Sequence, residues 1–263
     1  MKELQGNWAL VTGASSGIGA DLARLLGEAG CHLVLTARRK DRLESLKNEL
    51  TDKYPIKIET ISNDLSKTTG AKQLFDAVEA KKISIDILVN NAGIGLHGKF
   101  AELDIDAQLG LIQLNVTSPT ELTHRFMQGM VSRKKGWILQ VASLYAFSHG
   151  TNMAMYAASK HFMLCMSDAL NDELKGSGVN ITALCPGVTK TEFFEAADMS
   201  GGMVFDMIAM NSMDVARQGI RAMVAGKPYI VTGAANQMIA LGSPFTPRPF
   251  KILGSKLLHS IGS

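Results

Sequence analysis

Tyr156 and Lys160 stand four residues apart in Tyr156-Ala-Ala-Ser-Lys160, and on a helix that spacing puts a phenol and an ammonium on one face, a turn apart. A phenol ordinarily titrates near pH ~10. A fixed ammonium within a few ångströms favours phenolate, which draws the group toward the range where a general acid or base works. Tyr156 would then exchange a proton with a substrate oxygen. Ser143 ends the strand-like run at 137–142 and can offer a hydroxyl to the same oxygen from across a cleft. On these residues alone, an amphipathic surface pair is the commoner reason for a Tyr and a Lys at this spacing.

The elements that must position these groups begin at residues 7–12, a short apolar run that reads as a strand buried on both faces. Thr12-Gly-Ala-Ser-Ser-Gly-Ile-Gly19 follows, and apolar residues at helical spacing continue to Leu26. Strand, glycine turn and helix in this order allow a pyrophosphate to approach unpaired N–H groups at a helix N-terminus. The spacing is G-x-x-x-G-x-G, and a turn that merely closes strand to helix would look the same. Residues 31–36 read as a second strand. Where an NAD site places an acid for the ribose, this chain has Ala37-Arg38-Arg39. A guanidinium there can pair with the 2′-phosphate of NADP through forked, charge-assisted hydrogen bonds; a basic loop opening a helix over 40–50 is the alternative.

Residues 56–61 and 85–89 read as the third and fourth strands, ending in Asn63-Asp64-Leu65 and Asn90-Asn91-Ala92-Gly93. Small residues at neighbouring strand ends leave room for a flat ring, with Asp64 able to accept from an exocyclic amine, although both stretches also suit plain turns. Residues 104–133 are helical in pattern, interrupted near Asn115-Val-Thr-Ser-Pro119, where proline bends a helix or frees its hydrogen bonds. Asn115 could there expose a carbonyl that holds water near Lys160, or serve as a solvated or capping residue. Strands at 137–142, 179–184 and 227–232 complete the series. Alternating strands and helices predict a three-layer, doubly wound parallel sheet of seven strands in a single domain, with the ligand at the strands' carboxyl ends.

At 263 residues the chain can bury a full-sized core, and its even composition shows no linker. The net charge of +3 is small and the basic residues are scattered, which argues against a nucleic-acid groove. Cys31, Cys165 and Cys185 are far apart in apolar surroundings, as reduced thiols would be, and do not form a disulfide frame or metal site. No run approaches the ~20 apolar residues of a membrane span, and a cytoplasmic protein is expected.

Thr12-Gly-x-x-x-Gly-Ile-Gly19, Asn90-Asn-Ala-Gly93, Asn115, Ser143, Tyr156-x-x-Ser-Lys160 and Pro186-Gly-x-x-x-Thr191 occur in the order of the short-chain dehydrogenase/reductase family, which the chain resembles over residues 6–232. The resemblance implies that Tyr156 donates or accepts the proton, that Lys160 lowers its pKa and holds the nicotinamide ribose, that Ser143 positions the carbonyl oxygen and that Asn115 anchors a relay water. It implies NADP(H) contacts from Gly13, Ser15, Ser16, Gly17, Ile18, Gly19, Asp64, Leu65, Asn91, Ala92, Gly93, Pro186, Gly187, Val188 and Thr191, with Arg38 and its neighbour Arg39 at the 2′-phosphate. It further implies a homodimer or homotetramer, pairing helices over 104–133 and 152–175, with Met163, Met166 and Leu170 as apolar surface.

The resemblance also makes residues 190–212 a lid over the substrate. Its methionines and phenylalanines suit a bulky apolar ketone or 3-oxoacyl group, though packing under a loop explains them equally, and Gly201 and Gly202 would break the segment as a mobile lid requires. Tyr145, His149, Phe193 and Met199 are the candidate substrate contacts. A small polar alcohol such as a sugar or hydroxy amino acid, or a non-catalytic NADP-binding regulator, are the competing functions. Residues 237–263 lie beyond the common core, with Phe250, Leu253, Leu257, Leu258 and Ile261 on one helical face, expected to pack on the body.

Overall fold

The computed structural model describes residues 2–193 and 209–252. Met199, Gly201, Gly202 and the helical face from Leu253 to Ile261 lie outside the described residues.

Seven parallel strands form one sheet in the order β3-β2-β1-β4-β5-β6-β9. They are β1 (Trp8–Thr12), β2 (His32–Ala37), β3 (Ile58–Ser62), β4 (Ile85–Asn90), β5 (Gly136–Val141), β6 (Val179–Cys185) and, last, β9 (Tyr229–Val231). Each expected strand is present. Successive side chains of a strand face opposite sides of the sheet, and the core divides accordingly. Ala9 and Val11 of β1 join one buried cluster with Leu33, Leu35, Ile87 and Val89. Leu10 joins the other, with Val34, Leu88 and Ile138.

Two helical layers cover these faces. Helices α1 (Gly17–Glu28), α2 (Lys40–Lys53) and α7 (Ser212–Val224) supply Leu22, Leu43 and Ile220 to the first cluster. Helices α3 (Gly70–Ala80) and α5 (Ser118–Arg133) supply Leu74 and Phe126 to the second. The architecture is therefore three-layered, Rossmann-like and doubly wound. The chain turns from β1 outward through β2 and β3 and then returns to place β4 on the other side of β1, so the strand order reverses between β1 and β4, where such sheets open a crevice at their carboxyl ends.

Helix α4 (Ile105–Ile112) runs through a π-helical turn (Gln113–Thr117) into α5. The interruption thus falls before Pro119, and the cause is still that proline. It has no N–H to give the carbonyl four residues back, which is that of Asn115, and the ring crowds that turn. Ser118 N–H accordingly bonds Gln113 O, five residues back. Helix α6 (Ala154–Glu173) carries Tyr156 and Lys160, both on its buried face.

Two expectations are corrected. Met163 is 2% exposed and serves the core, while Met166 and Leu170 are half-buried against core clusters; the large apolar residue that α6 exposes is Phe162. Cys165 is exposed, whereas Cys31 and Cys185 are buried, their thiols pushed up to about 12 by burial. Finally, β7 (Thr189–Lys190) and β8 (Met210–Asn211) form a two-residue parallel ladder, which ties together the two ends of the expected lid. Helix α8 (Ala234–Gly242) follows β9. Among the described residues no helix is long and apolar enough to cross a membrane.

Candidate active site

The floor of the crevice is built by Thr12. Its hydroxyl accepts from the N–H groups of Asn91 (2.9 Å) and Ala92 (3.0 Å) and donates to Val89 O (3.1 Å), locking the ends of β1 and β4 together. The Asn91 amide donates to Thr12 O and Gly13 O at 3.0 and 3.2 Å. Gly13 has φ +65°, and a Cβ there would lie 2.7 Å from Asn91 Nδ2; one on Gly19 would lie 2.3 Å from the same atom. Asn91 therefore packs against the glycine turn, which is why the turn tolerates no side chain at these positions. Ser16 caps α1 without a side-chain hydrogen bond, so the first amides of that helix keep their capacity for an anion. Ile18 packs against the core beneath them.

At the outer end of the turn, Arg39 is the arginine that reaches the glycine turn. Its Nη2 donates to Ser16 Oγ (2.8 Å) and Ser15 Oγ (3.2 Å), and its Nη1 pairs with Glu192 at 2.8 Å. Arg42 pairs with the other oxygen of Glu192. Hydrogen bonds from Arg42 and Arg39 hold the Glu192 carboxyl down to about 2. Arg38, one residue earlier, is exposed, and its charge helps lower Asp64, after the hydrogen bonds that Ser66 gives that carboxylate. Asp64 Oδ1 is thus engaged locally, by Ser66 N–H (3.0 Å) and Oγ–H (2.7 Å). Beside it, Asn63 Oδ1 is buried without a hydrogen-bond partner. Leu65 is buried, and its carbonyl accepts from Ser118 Oγ at 2.6 Å.

At the inner end, the π turn aims Asn115 at the strand β4 loop. Its Oδ1 accepts from Ile94 N–H (3.0 Å), and its Nδ2 donates to Ile94 O (2.9 Å) and Ser159 Oγ (3.2 Å). A Cβ on Gly93 would sit 3.1 Å from Asn115 Oδ1 and 3.7 Å from Lys160 Nζ, so Gly93, Asn115 and Lys160 meet at one point. Ser143 Oγ accepts from Tyr145 N–H at 3.1 Å and shares a hydrogen bond with the Tyr156 phenol. All four expected chemical residues are buried and adjacent to this crevice.

Their electrostatics differ from the spacing argument. Lys160 Nζ lies 5.6 Å from the centroid of the Tyr156 ring and donates to Val141 O at 2.8 Å. Burial pushes the Tyr156 phenol above its ordinary range; the Ser143 hydrogen bond opposes this, and Tyr145 adds to it. Burial also brings Lys160 down to about 8. Desolvation acts on both groups and favours the neutral form of each, so it outweighs the mutual effect that i, i+4 spacing suggests.

Tyr145, raised to about 12 by burial, sets its ring edge-on to Tyr156 at 5.7 Å between centroids, and Phe193 approaches the same ring at 5.4 Å. His149 is exposed, on the turn before α6. Thr191 stands over the glycine turn, where a Cβ on Gly17 would lie 2.9 Å from its methyl. Pro186 O accepts from Leu144 N–H (2.7 Å) and Val188 O from Met210 N–H (2.9 Å). Asn236 of α8 packs so closely under Gly187 that a Cβ there would meet its Nδ2 at 2.3 Å. Glu192 and Asn236 were not singled out by the sequence, and neither sits in a motif whose spacing could have marked it; Asn63 was named only as the neighbour of Asp64.

A parallel sheet whose order reverses over a glycine turn, with a buried Tyr, Ser, Lys and Asn at the same edge, defines an oxidoreductase fold that binds nicotinamide cofactors and takes a small-molecule substrate. The short chain dehydrogenase family model matches residues 7–200, and the chain belongs to that family of enzymes acting on CH–OH groups. An uncharacterized oxidoreductase of Staphylococcus saprophyticus is 33% identical over 73% of this chain and 82% of its own length. A short-chain dehydrogenase from Sphingobium yanoikuyae in complex with NADPH superposes with a TM-score of 0.81 at 29% identity, covering 91% of this chain and 93% of that one. The bulky-bulky ketone specific alcohol dehydrogenase from Comamonas testosteroni superposes at 0.77 with 28% identity, covering 88% of this chain and 89% of that one.

Proposed function

We propose that the protein is an NADP(H)-dependent reductase of an apolar ketone or 3-oxoacyl substrate. The observation that carries the reading is the buried Tyr156 phenol, in hydrogen bond with Ser143 and packed by the rings of Tyr145 and Phe193, a proton donor beside an apolar surface. Preference for NADP(H) is supported by Arg39 and Arg42 gathered beside the glycine turn, with Arg38 next to Asp64. The fold alone does not choose between the two dinucleotides.

The residues present fit a dinucleotide. Gly13 and Gly17 leave a side-chain-free turn at an uncapped helix N-terminus, and Asn63 Oδ1 offers an unpartnered acceptor at the end of β3 for an exocyclic amine, with Asp64 beside it. Backbone groups of Ala92 and Gly93 and the segment from Pro186 to Thr191 would border the nicotinamide half. When bound, NADPH supplies a hydride. Tyr156 gives its proton to the oxygen on which negative charge develops, and Ser143, in hydrogen bond with that phenol, orients the same oxygen. Lys160, held at Val141 O, presents an ammonium to a ribose hydroxyl and stabilises the phenolate that forms. Asn115 fixes the Ile94 peptide and keeps the π turn's carbonyl, deprived of its α-helical donor by Pro119, toward a relay water.

Tyr145 and Phe193, packed on the Tyr156 ring, make the substrate face apolar, which favours a bulky ketone over a sugar. His149 and Met199 remain candidate contacts at the rim and the lid. An open groove of about 660 Å³ bounded by Val116, Thr120, His124 and the exposed Phe162 supports pairing of two copies through α5 and α6. Turnover of a panel of ketones and alcohols, with each of the four nicotinamide cofactor forms, tests the reading. It fails if no apolar ketone is reduced, or if purified protein binds NADH more tightly than NADPH; a monomer in light scattering at micromolar concentration removes the pairing.

A further inference from the structure

Three consecutive residues bridge the whole crevice. Thr191 covers the glycine turn at Gly17, Glu192 holds Arg39 and Arg42, and Phe193 lies on the ring of Tyr156. Phe193 also fills the space over Gly95, where a Cβ would lie 2.8 Å from the ring. The chain enters this bridge from the β7–β8 ladder, which pairs Lys190 with Asn211 immediately before Thr191.

We propose that Glu192 is the counter-ion a 2′-phosphate must displace from Arg39 and Arg42, and that this exchange draws Phe193 away from Tyr156. The inference rests on the NADP reading above. The charges suit an exchange: one carboxylate neutralises half of an arginine pair, whereas a phosphate monoester dianion, at about −2, neutralises all of it. Arg39 stays anchored without Glu192, because Ser15 and Ser16 hold its other nitrogen. The ion pairs are two-fifths exposed, a setting in which single pairs contribute little and part readily. An adenosine lacking the 2′-phosphate has nothing with which to compete, so Glu192 remains in place when it binds and only the phosphorylated cofactor meets the cost of displacing it. Glu192 is thus a specificity-determining residue, and residues 191–193 carry the identity of the cofactor to the substrate face.

The test titrates wild type, Glu192→Gln and Glu192→Ala with NADPH, NADH and 2′,5′-ADP. Removing the competitor should tighten NADPH and 2′,5′-ADP about three- to tenfold and leave NADH unchanged. If wild type prefers NADPH but neither variant changes the NADPH-to-NADH ratio, or if NADPH weakens, Glu192 is no competitor and the proposal falls while the NADP reading stands. Wild type preferring NADH overturns both. The coupling is read separately with Phe193→Trp, whose emission should change on adding 2′,5′-ADP, which has no nicotinamide to touch it, and not on adding 5′-AMP. The response should vanish when Glu192→Gln is added. Equal responses to the two nucleotides would overturn the coupling.

Discussion

Replacing Lys160 by Met should stabilise the fold while abolishing turnover. The ammonium is 6% exposed and faces Val141 O, with no carboxylate among the groups that shift it. Its fall from 10.5 to about 8 on burial, at about 1.4 kcal/mol per pH unit, makes the buried charge cost on the order of 3 kcal/mol at neutral pH. Met removes that cost and fills a similar volume, but leaves Val141 O without its donor, which costs about 1–2 kcal/mol. The net gain is about 1–2 kcal/mol, or roughly 2–6 °C in Tm for a chain of this size. The sign with pH follows from the depressed value. Between pH 8 and 10.5 Lys160 binds its proton more in the unfolded chain than in the folded one, so its contribution to wild-type stability rises with pH across that window. Cys31, Cys185, Tyr145 and Tyr156, all raised by burial, ionise in the unfolded chain across the same range and oppose this rise, but both proteins carry them, so the difference between variant and wild type isolates Lys160. Thermal melts of both proteins at pH 7 and pH 10 decide the matter: the variant should melt higher at pH 7 and lose its advantage by pH 10. A variant that melts lower at pH 7, by a margin that does not change with pH, would refute a desolvated lysine.

Tyr156→Phe keeps the ring packed between Tyr145 and Phe193 and deletes the proton, so turnover should fall by roughly 10²–10⁴ with NADPH affinity retained; near-normal turnover on any substrate ends the catalytic reading. Asn115→Ala strips both hydrogen bonds from the Ile94 peptide and should cost about 2 kcal/mol, seen as a lower urea midpoint; an unchanged midpoint means the clamp does not hold the loop. Gly13→Ala forces a Cβ to 2.7 Å from Asn91 at a φ of +65° and should cost at least about 1 kcal/mol and weaken dinucleotide binding; calorimetry showing wild-type affinity would contradict the cradle.

Strands β1 and β4 were legible as short, mostly buried apolar runs ended by a glycine or asparagine turn, whereas the half-buried β3, with Glu59 and Thr60, was legible through alternation. The site motifs were legible for the same local reason, since Gly13, Asn91, Tyr156 and Lys160 each sit at the end of such a run or on the helix beside it. What was not legible acts across the chain. Glu192 lies 153 residues from Arg39, Asn236 packs under Gly187, and the β7–β8 ladder is two residues long, too short for any periodicity. Met163 was read outward because a methionine every few turns looks alike on either face, and only the third dimension buries it.

The sign of the Tyr156 shift shows where such reasoning must stop. Spacing places an ammonium near a phenol and so argues for an easier ionisation. Depth argues the reverse, and it prevails because the ammonium is directed at Val141 O while the phenol is shut away from water. A phenol kept protonated can donate to a ketone oxygen without first collecting a proton, whereas oxidation of an alcohol must wait for the phenolate. The same burial that opposes the expectation from spacing leaves the proposed reduction with the protonated phenol it needs at neutral pH.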